Sequence, residues 1–124
     1  MNFSETPEFK KDAKRLSKRW RSIPADLDAV KPYILPLYTQ QTDETAANEY
    51  RQAFFSGTVA TILYTQGDVE VVKMRLDVAD LGRNDKVRII FVAIKTNNEI
   101  LFVELYAKNE KDREDPARYK PYIS

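Results

Sequence analysis

Residues 69–107 read VEVVKMRLDVADLGRNDKVRIIFVAIKTNNEILFVELYA. Three stretches rich in valine, isoleucine and aromatic residues, 69–76, 87–95 and 99–107, are separated by the polar loop 80–85 around Gly82 and by Thr96-Asn97-Asn98. Such residues suit a pleated, half-buried surface, and short Asn-rich connections suit tight turns. The last two stretches predict an antiparallel hairpin. A further stretch, TVATILYT (58–65), followed by Gly67-Asp68, predicts one more strand ahead of them. Successive strand side chains point to opposite faces. Val72, Met74 and Leu76 therefore share one face, and Val71, Lys73 and Arg75 share the other.

Working outward, the N-terminal third has helical spacing. Thr6 can cap a helix, Pro7 suits its first position, and Glu8 favours its positive end. Phe9, Ala13, Leu16 and Trp20 then form one apolar stripe at spacings of four, three and four, predicting a helix over 7–20. A second helix is expected from Pro24, capped by Ser22, with Leu27 and Val30 inward and Pro32 and Pro36 breaking or kinking it. DETAANEYRQAF (43–54) predicts a third, and Gly57 ends it. The charged end, KNEKDREDPARYKPYIS, reads as a loop with a short terminal helix. Helices followed by a run of strands define an α+β class: an antiparallel meander packed against two to three N-terminal helices. The 124 residues suit a single domain spanning 1–124.

Composition excludes several chemistries. The chain has no cysteine and no histidine. Disulfides, thiolate catalysis and zinc-thiolate sites are ruled out, and the commonest general base and metal ligand is missing. Three glycines and the absence of any Gly-rich phosphate motif argue against a phosphate-cradling loop. No apolar run reaches the roughly 18 residues of a membrane span, and no apolar leader is expected at the N-terminus. Any catalysis falls to Lys, Arg, Tyr, Asp and Glu.

The net charge of +1 hides a strong asymmetry. KKDAKRLSKRWR (10–21) holds seven cations against Asp12 alone, while the remainder is net acidic. Lys10, Lys11, Lys14, Arg15, Lys18 and Arg19 have the makings of a polyanion-binding face, or of the wet side of an amphipathic helix. Lys73 and Arg75 stand roughly 6–7 Å apart along their strand, near the repeat of a nucleic-acid backbone, and Arg88 opens the neighbouring strand. The alternative is a solvated face whose cations pair across strands with Glu70 or Glu104. Tyr106, Tyr119 and Tyr122 read as core or rim packing.

The order of these parts resembles the RelE/ParE toxin superfamily. FSETPEFKKDAKRLSKRWRSIPADL (3–27) looks like its opening, a short strand, a helix and a second helix. VVKMRL (71–76), LGRNDKVRIIF (81–91) and ILFVELYAKNEKDRED (100–115) are similar to its K-x-R strand, its arginine-initiated strand and its final Y-x-K-x-x-K strand. The resemblance implies a RelE-like toxin of a type II toxin–antitoxin pair: a cytoplasmic, ribosome-dependent endoribonuclease needing no metal or cofactor. It would cut mRNA by attack of the RNA's own 2′-OH, leaving a 2′,3′-cyclic phosphate. Lys73 would then orient or activate the 2′-OH, Arg75 bind phosphate, and Arg88 stabilise the transition state. Lys108 matches the lysine closing the last strand. Asn109 stands where some members carry an arginine, with Lys111 or Arg113 as substitutes. Some members carry a C-terminal histidine–tyrosine pair, of which this chain offers only Tyr119 and Tyr122. The cations of the first helix would rest on ribosomal RNA. The implied partners are a cognate antitoxin, in a toxin–antitoxin hetero-oligomer, and the ribosome with its mRNA, with no membrane. A ParE-like gyrase inhibitor and an inactive RelE-fold binding module remain the alternatives.

Overall fold

The structure, a computed structural model, describes residues 1–39, 43–57 and 59–123, and of residues 83–85 the backbone alone. The architecture is α+β: three α-helices, N-terminal in the chain, on one face of a five-stranded sheet whose order is β1-β5-β4-β3-β2. It is compatible with a RelE-like fold.

Strand β1 (Asn2–Glu5) leads into helix α1 (Pro7–Arg19). Thr6 caps α1, its hydroxyl accepting from the Phe9 amide at 3.1 Å. Phe9 and Leu16 are fully buried, and the Phe9 ring lies 5.3 Å from that of Phe102. Helix α2 (Ile23–Ile34) buries Ile23, Leu27, Val30 and Ile34, again at spacings of four, three and four. It runs through Pro32 instead of breaking there. Pro32 sits in the last turn, where the missing N–H removes a single bond to the Asp28 carbonyl. The helix stops at Ile34, and a 3₁₀ turn, Leu35–Leu37, takes in Pro36. Ser22 does not cap α2 with its side chain. It bridges instead to the turn after β3, its amide donating to Asp80 Oδ2 at 3.0 Å and its Oγ accepting from the Asp80 amide at 3.1 Å. Helix α3 (Glu44–Phe54) is capped by Asp43, which accepts from the Ala46 amide.

Strands β2 (Ala60–Gln66), β3 (Val69–Val78), β4 (Arg83–Ile94) and β5 (Glu99–Ala107) form the expected antiparallel meander. Residue 58, the expected start of the first of these, lies outside the described residues. The sheet as a whole is mixed, not wholly antiparallel, because β1 pairs parallel to β5 from Asn2↔Glu99 to Glu5↔Phe102. The expected loop at 80–85 is also shorter. A single 3₁₀ turn, Ala79–Leu81, and Gly82 at φ +66° reverse the chain, so pairing resumes at Val78↔Arg83. Glycine suits that left-handed position because it has no Cβ to clash. Asn98, at φ 53°, does the same for the β4–β5 turn.

Each sheet face has its own apolar cluster. Val72, Met74, Leu76, Ile89, Phe91 and Leu105 face the helices. Val71, Ile90, Val92, Leu101 and Val103 face the other way, where Tyr119, Tyr122 and Ile123 of the C-terminal segment cover them. That segment forms two short 3₁₀ turns, Pro116–Arg118 and Lys120–Tyr122.

Strand β5 carries a bulge. Phe91 pairs with Phe102 but Ile90 with Glu104, so Val103 has no opposite number. Beyond Phe102, β1 no longer covers the edge of β5, and side chains take over its backbone groups. Arg118 donates to the Val103 carbonyl at 2.8 Å, Asp12 accepts from the Leu105 amide at 3.1 Å, and Glu110 accepts from the Ala107 amide at 3.1 Å. Buried backbone groups left without such partners are costly.

Candidate functional site

Strand geometry and register assemble the site. Alternation along β3 sends Lys73 and Arg75 away from the helices, as Val71 is sent, and alternation along β4 does the same for Arg88. On β5 strict alternation from Leu101 would turn Tyr106 toward the helices. The extra residue at Val103 reverses the phase, and Tyr106 joins the far face. Arg75, Arg88 and Tyr106 then stand side by side in one row across β3, β4 and β5. Lys73 lies two residues along from Arg75.

This row opens onto a cleft of about 280 Å³ lined by Lys73, Arg75, Arg88, Tyr106, Lys108 and Asp112, with Gly57, Val59, Ala60 and Thr61 along its margin. Four of the six residues expected to carry catalysis therefore converge: Lys73, Arg75, Arg88 and Lys108. Lys111 and Tyr119 do not line it. Lys111 pairs with the buried carboxylate of Glu104 and lies 5.3 Å from the Tyr106 ring centroid. Tyr119 packs on the far-face cluster.

Like charges directly opposite each other in a sheet are destabilising. Arg75 and Arg88 stand directly opposite each other, which gathers two positive charges at one place on the sheet. Arg88 is only 9% exposed, with Nη1 donating to the Val87 carbonyl at 3.3 Å. Lys73 Nζ reaches Glu114 Oε1 at 2.9 Å. The acid beside Lys73 is thus neither Glu70 nor Glu104. Glu70 turns to the helix side, accepting from the Tyr38 hydroxyl at 2.6 Å and pairing with Arg51.

Protonation follows from these contacts. Burial works against the Lys73 ammonium, but the Glu114 hydrogen bond and the neighbouring Tyr106 outweigh it, and the pKa is raised. Lys73 stays charged at neutral pH, suited to orienting a hydroxyl or steadying negative charge and unsuited to accepting a proton. Burial raises the Tyr106 pKa despite the opposing Lys73 charge. Its hydroxyl is buried beside the Lys73 ammonium. A protonated phenol facing a ring of cations is a proton donor in waiting. Sequence alone reads Tyr106 as packing, since its place in the row depends on a bulge that composition does not signal.

The first-helix cations divide into two groups. Lys10, Lys11, Lys14 and Lys18 are exposed and hold no ion pair among the described residues. Arg15 grips Glu110 through two bonds of 3.0 and 3.1 Å and also reaches Asp12. Arg19 stacks 4.5 Å over Trp20 and reaches Asn109 at 3.5 Å. The C-terminal end of α1 thereby abuts the turn after β5, at the rim of the cleft. Among the described residues no three metal-ligating side chains converge, and no helix is long and apolar enough to cross a membrane. The chain matches no protein-family model, no curated protein and no solved structure.

Proposed function

We propose that the cationic cleft binds the phosphodiester backbone of RNA and that the chain is a RelE-type toxin, a ribosome-dependent mRNA endoribonuclease. The observation that supports this is the Arg75–Arg88–Tyr106 row with Lys73 and Lys108 around the same hollow. In the proposed reaction the 2′-oxygen attacks the adjacent phosphorus, its proton passing to water. Arg75 and Arg88 hold the non-bridging oxygens as charge builds, and Lys73 orients the 2′-OH. The bond to the 5′-oxygen breaks, and Tyr106 supplies the proton that this leaving group takes up, giving a 2′,3′-cyclic phosphate. The exposed lysines of α1 rest on ribosomal RNA. In the cytoplasm a cognate antitoxin would hold the toxin in a hetero-oligomer.

Pulse-labelling of protein and DNA synthesis after induced expression tests the reading. A prompt fall in protein synthesis, with DNA synthesis continuing, is the expected result, and Arg88→Ala should abolish it in a folded protein. Tyr106→Phe should lower cleavage at least about tenfold, with a thermal melt showing that the variant still folds. DNA synthesis falling first would replace this reading with a ParE-like one. No effect on either would leave a docking module without chemistry.

A further inference from the structure

A second hollow, of about 680 Å³, lies between α2, α3 and the end of β3. This volume is in the range of small-molecule sites. Its walls are apolar and aromatic, with Tyr33 from α2, Tyr50 and Phe54 from α3, and Leu76 from β3. Tyr50 is fixed by its hydroxyl, which donates to the Tyr33 carbonyl, and by Phe54, whose ring lies 6.2 Å away. Tyr33 is 63% exposed and stands open to solvent.

Val59, Met74 and Arg75 line both this hollow and the cationic cleft. Strand β2 begins only at Ala60, and the Arg75 amide bonds to the Val59 carbonyl at 2.9 Å. Beyond that point no described residue pairs with β3 on this side, and the two hollows meet there. A ligand with an anion on Arg75 has an aromatic-lined cavity directly beside it. Two acids stand in the same wall, Asp26 and Asp77. Asp26 is occupied by the Ser22 hydroxyl and the Ala79 amide. Asp77 is exposed and in no ion pair among the described residues. An acidic peptide would be repelled by these carboxylates, and an aliphatic chain would leave them unused. A flat heterocycle with N–H donors suits both the rings and Asp77, because carboxylates accept from base amino groups and aromatic side chains stack on bases.

We propose that this cavity seats the base of the nucleotide whose phosphate lies on Arg75, so that the chain reads a base next to the bond it grips. The proposal rests on the reading of the cationic cleft as a phosphate site. The test is titration of the full chain, followed by amide chemical shifts, with the four ribonucleoside 3′-monophosphates and with ribose 5-phosphate as a base-free probe. At least one nucleotide should bind about fivefold or more tightly than ribose 5-phosphate, as base stacking on aromatic side chains would give. Ala29 and Ala53 line the cavity from exposed helix positions, so Ala29→Leu and Ala53→Leu fill it without touching the core. Each should erase the nucleotide advantage and leave ribose 5-phosphate binding as it was, while Arg75→Ala weakens all five ligands. Thermal melts of both filled variants check that they fold. Nucleotides binding no tighter than ribose 5-phosphate, or an advantage that survives both filled variants, overturns the cavity alone. No binding by any of the five overturns the phosphate cleft and the cavity together. Cavity shifts that follow protein concentration instead of ligand would mark a contact between copies of the chain, and would also overturn it.

Discussion

Asp12 is the one acid within the basic stretch 10–21, and it is 4% exposed. Its two oxygens take both terminal nitrogens of Arg118 at 2.9 and 3.1 Å, the Leu105 amide and Arg15. Asp12→Ala strands a buried amide and a half-buried guanidinium together. The expected loss is about 3 kcal/mol in urea denaturation, with Asp12→Asn costing less because it keeps an acceptor. Two other carboxylates give the protein an acid limit. The Arg15 hydrogen bond holds Glu110 below the ordinary glutamate pKa against burial. Burial pushes Glu114 up, but Lys73 and a backbone bond outweigh it and the net shift is downward. A carboxylate depressed in the folded state binds protons more readily when unfolded. Its stabilisation is present above the unfolded value of about 4.3 and is lost as pH falls through the lower folded value. The urea midpoint should therefore drop as pH is lowered below about 4.3, and Glu110→Gln should flatten that drop.

At the scale of elements, Pro32 is the residue most at odds with its setting. It lies inside α2, where proline costs about 3 kcal/mol relative to alanine, partly offset by a stiffer unfolded chain. Pro32→Ala should raise stability by about 1–2 kcal/mol, read from the urea midpoint at constant slope. Proline is a strong breaker in a sequence, but its effect depends on which turn it occupies, and that was not visible. The α1 stripe, the third helix and the β4–β5 hairpin were legible, because each couples a clear period to a clear stop signal. The division of β3 into Val72–Met74–Leu76 and Val71–Lys73–Arg75 was legible for the same reason. Strand β5 was legible in extent and not in phase. EILFVELYA is apolar on both sides, so no alternation marks where the register slips, and Tyr106 could not be put beside Arg88. Lys111 joined the expected site as a substitute for the arginine that some members of the resembled family carry, and Tyr119 through their C-terminal histidine–tyrosine pair, whereas the fold spends them on Glu104 and on the far-face cluster.

Across the whole molecule, the sheet separates two basic regions. The α1 lysines lie on the helix side, and the cleft opens on the other, with the Arg15–Glu110 and Arg19–Asn109 contacts joining them round the end of β5. A long polyanion can touch both; a short one touches the cleft alone. Removing one cation from a phosphate should lower the slope of log affinity against log salt by about 0.7 for single-stranded RNA. Arg75→Ala should reduce that slope for a short oligoribonucleotide by about this amount, while Lys14→Gln leaves it unchanged. A slope that responds to Lys14→Gln would mean that even a short strand wraps the edge of the sheet.

Strand β5 also holds one residue of slack. Its pairing with β4 needs eight positions where nine are supplied, and Val103 is the surplus. Loss of Leu101 or Phe102 would turn part of the strand inside out. Loss of Val103 would leave every other side chain on the face it now occupies. Glu104 is the only neighbour with the same property, and it is committed to Lys111 and to the Asp115 amide. A chain shortened at Val103 would keep both faces of its sheet and would lose one buried side chain of the far-face cluster and the carbonyl that Arg118 holds. The position that looks most like an irregularity is the one where this strand can change length and still put Tyr106 beside Arg88.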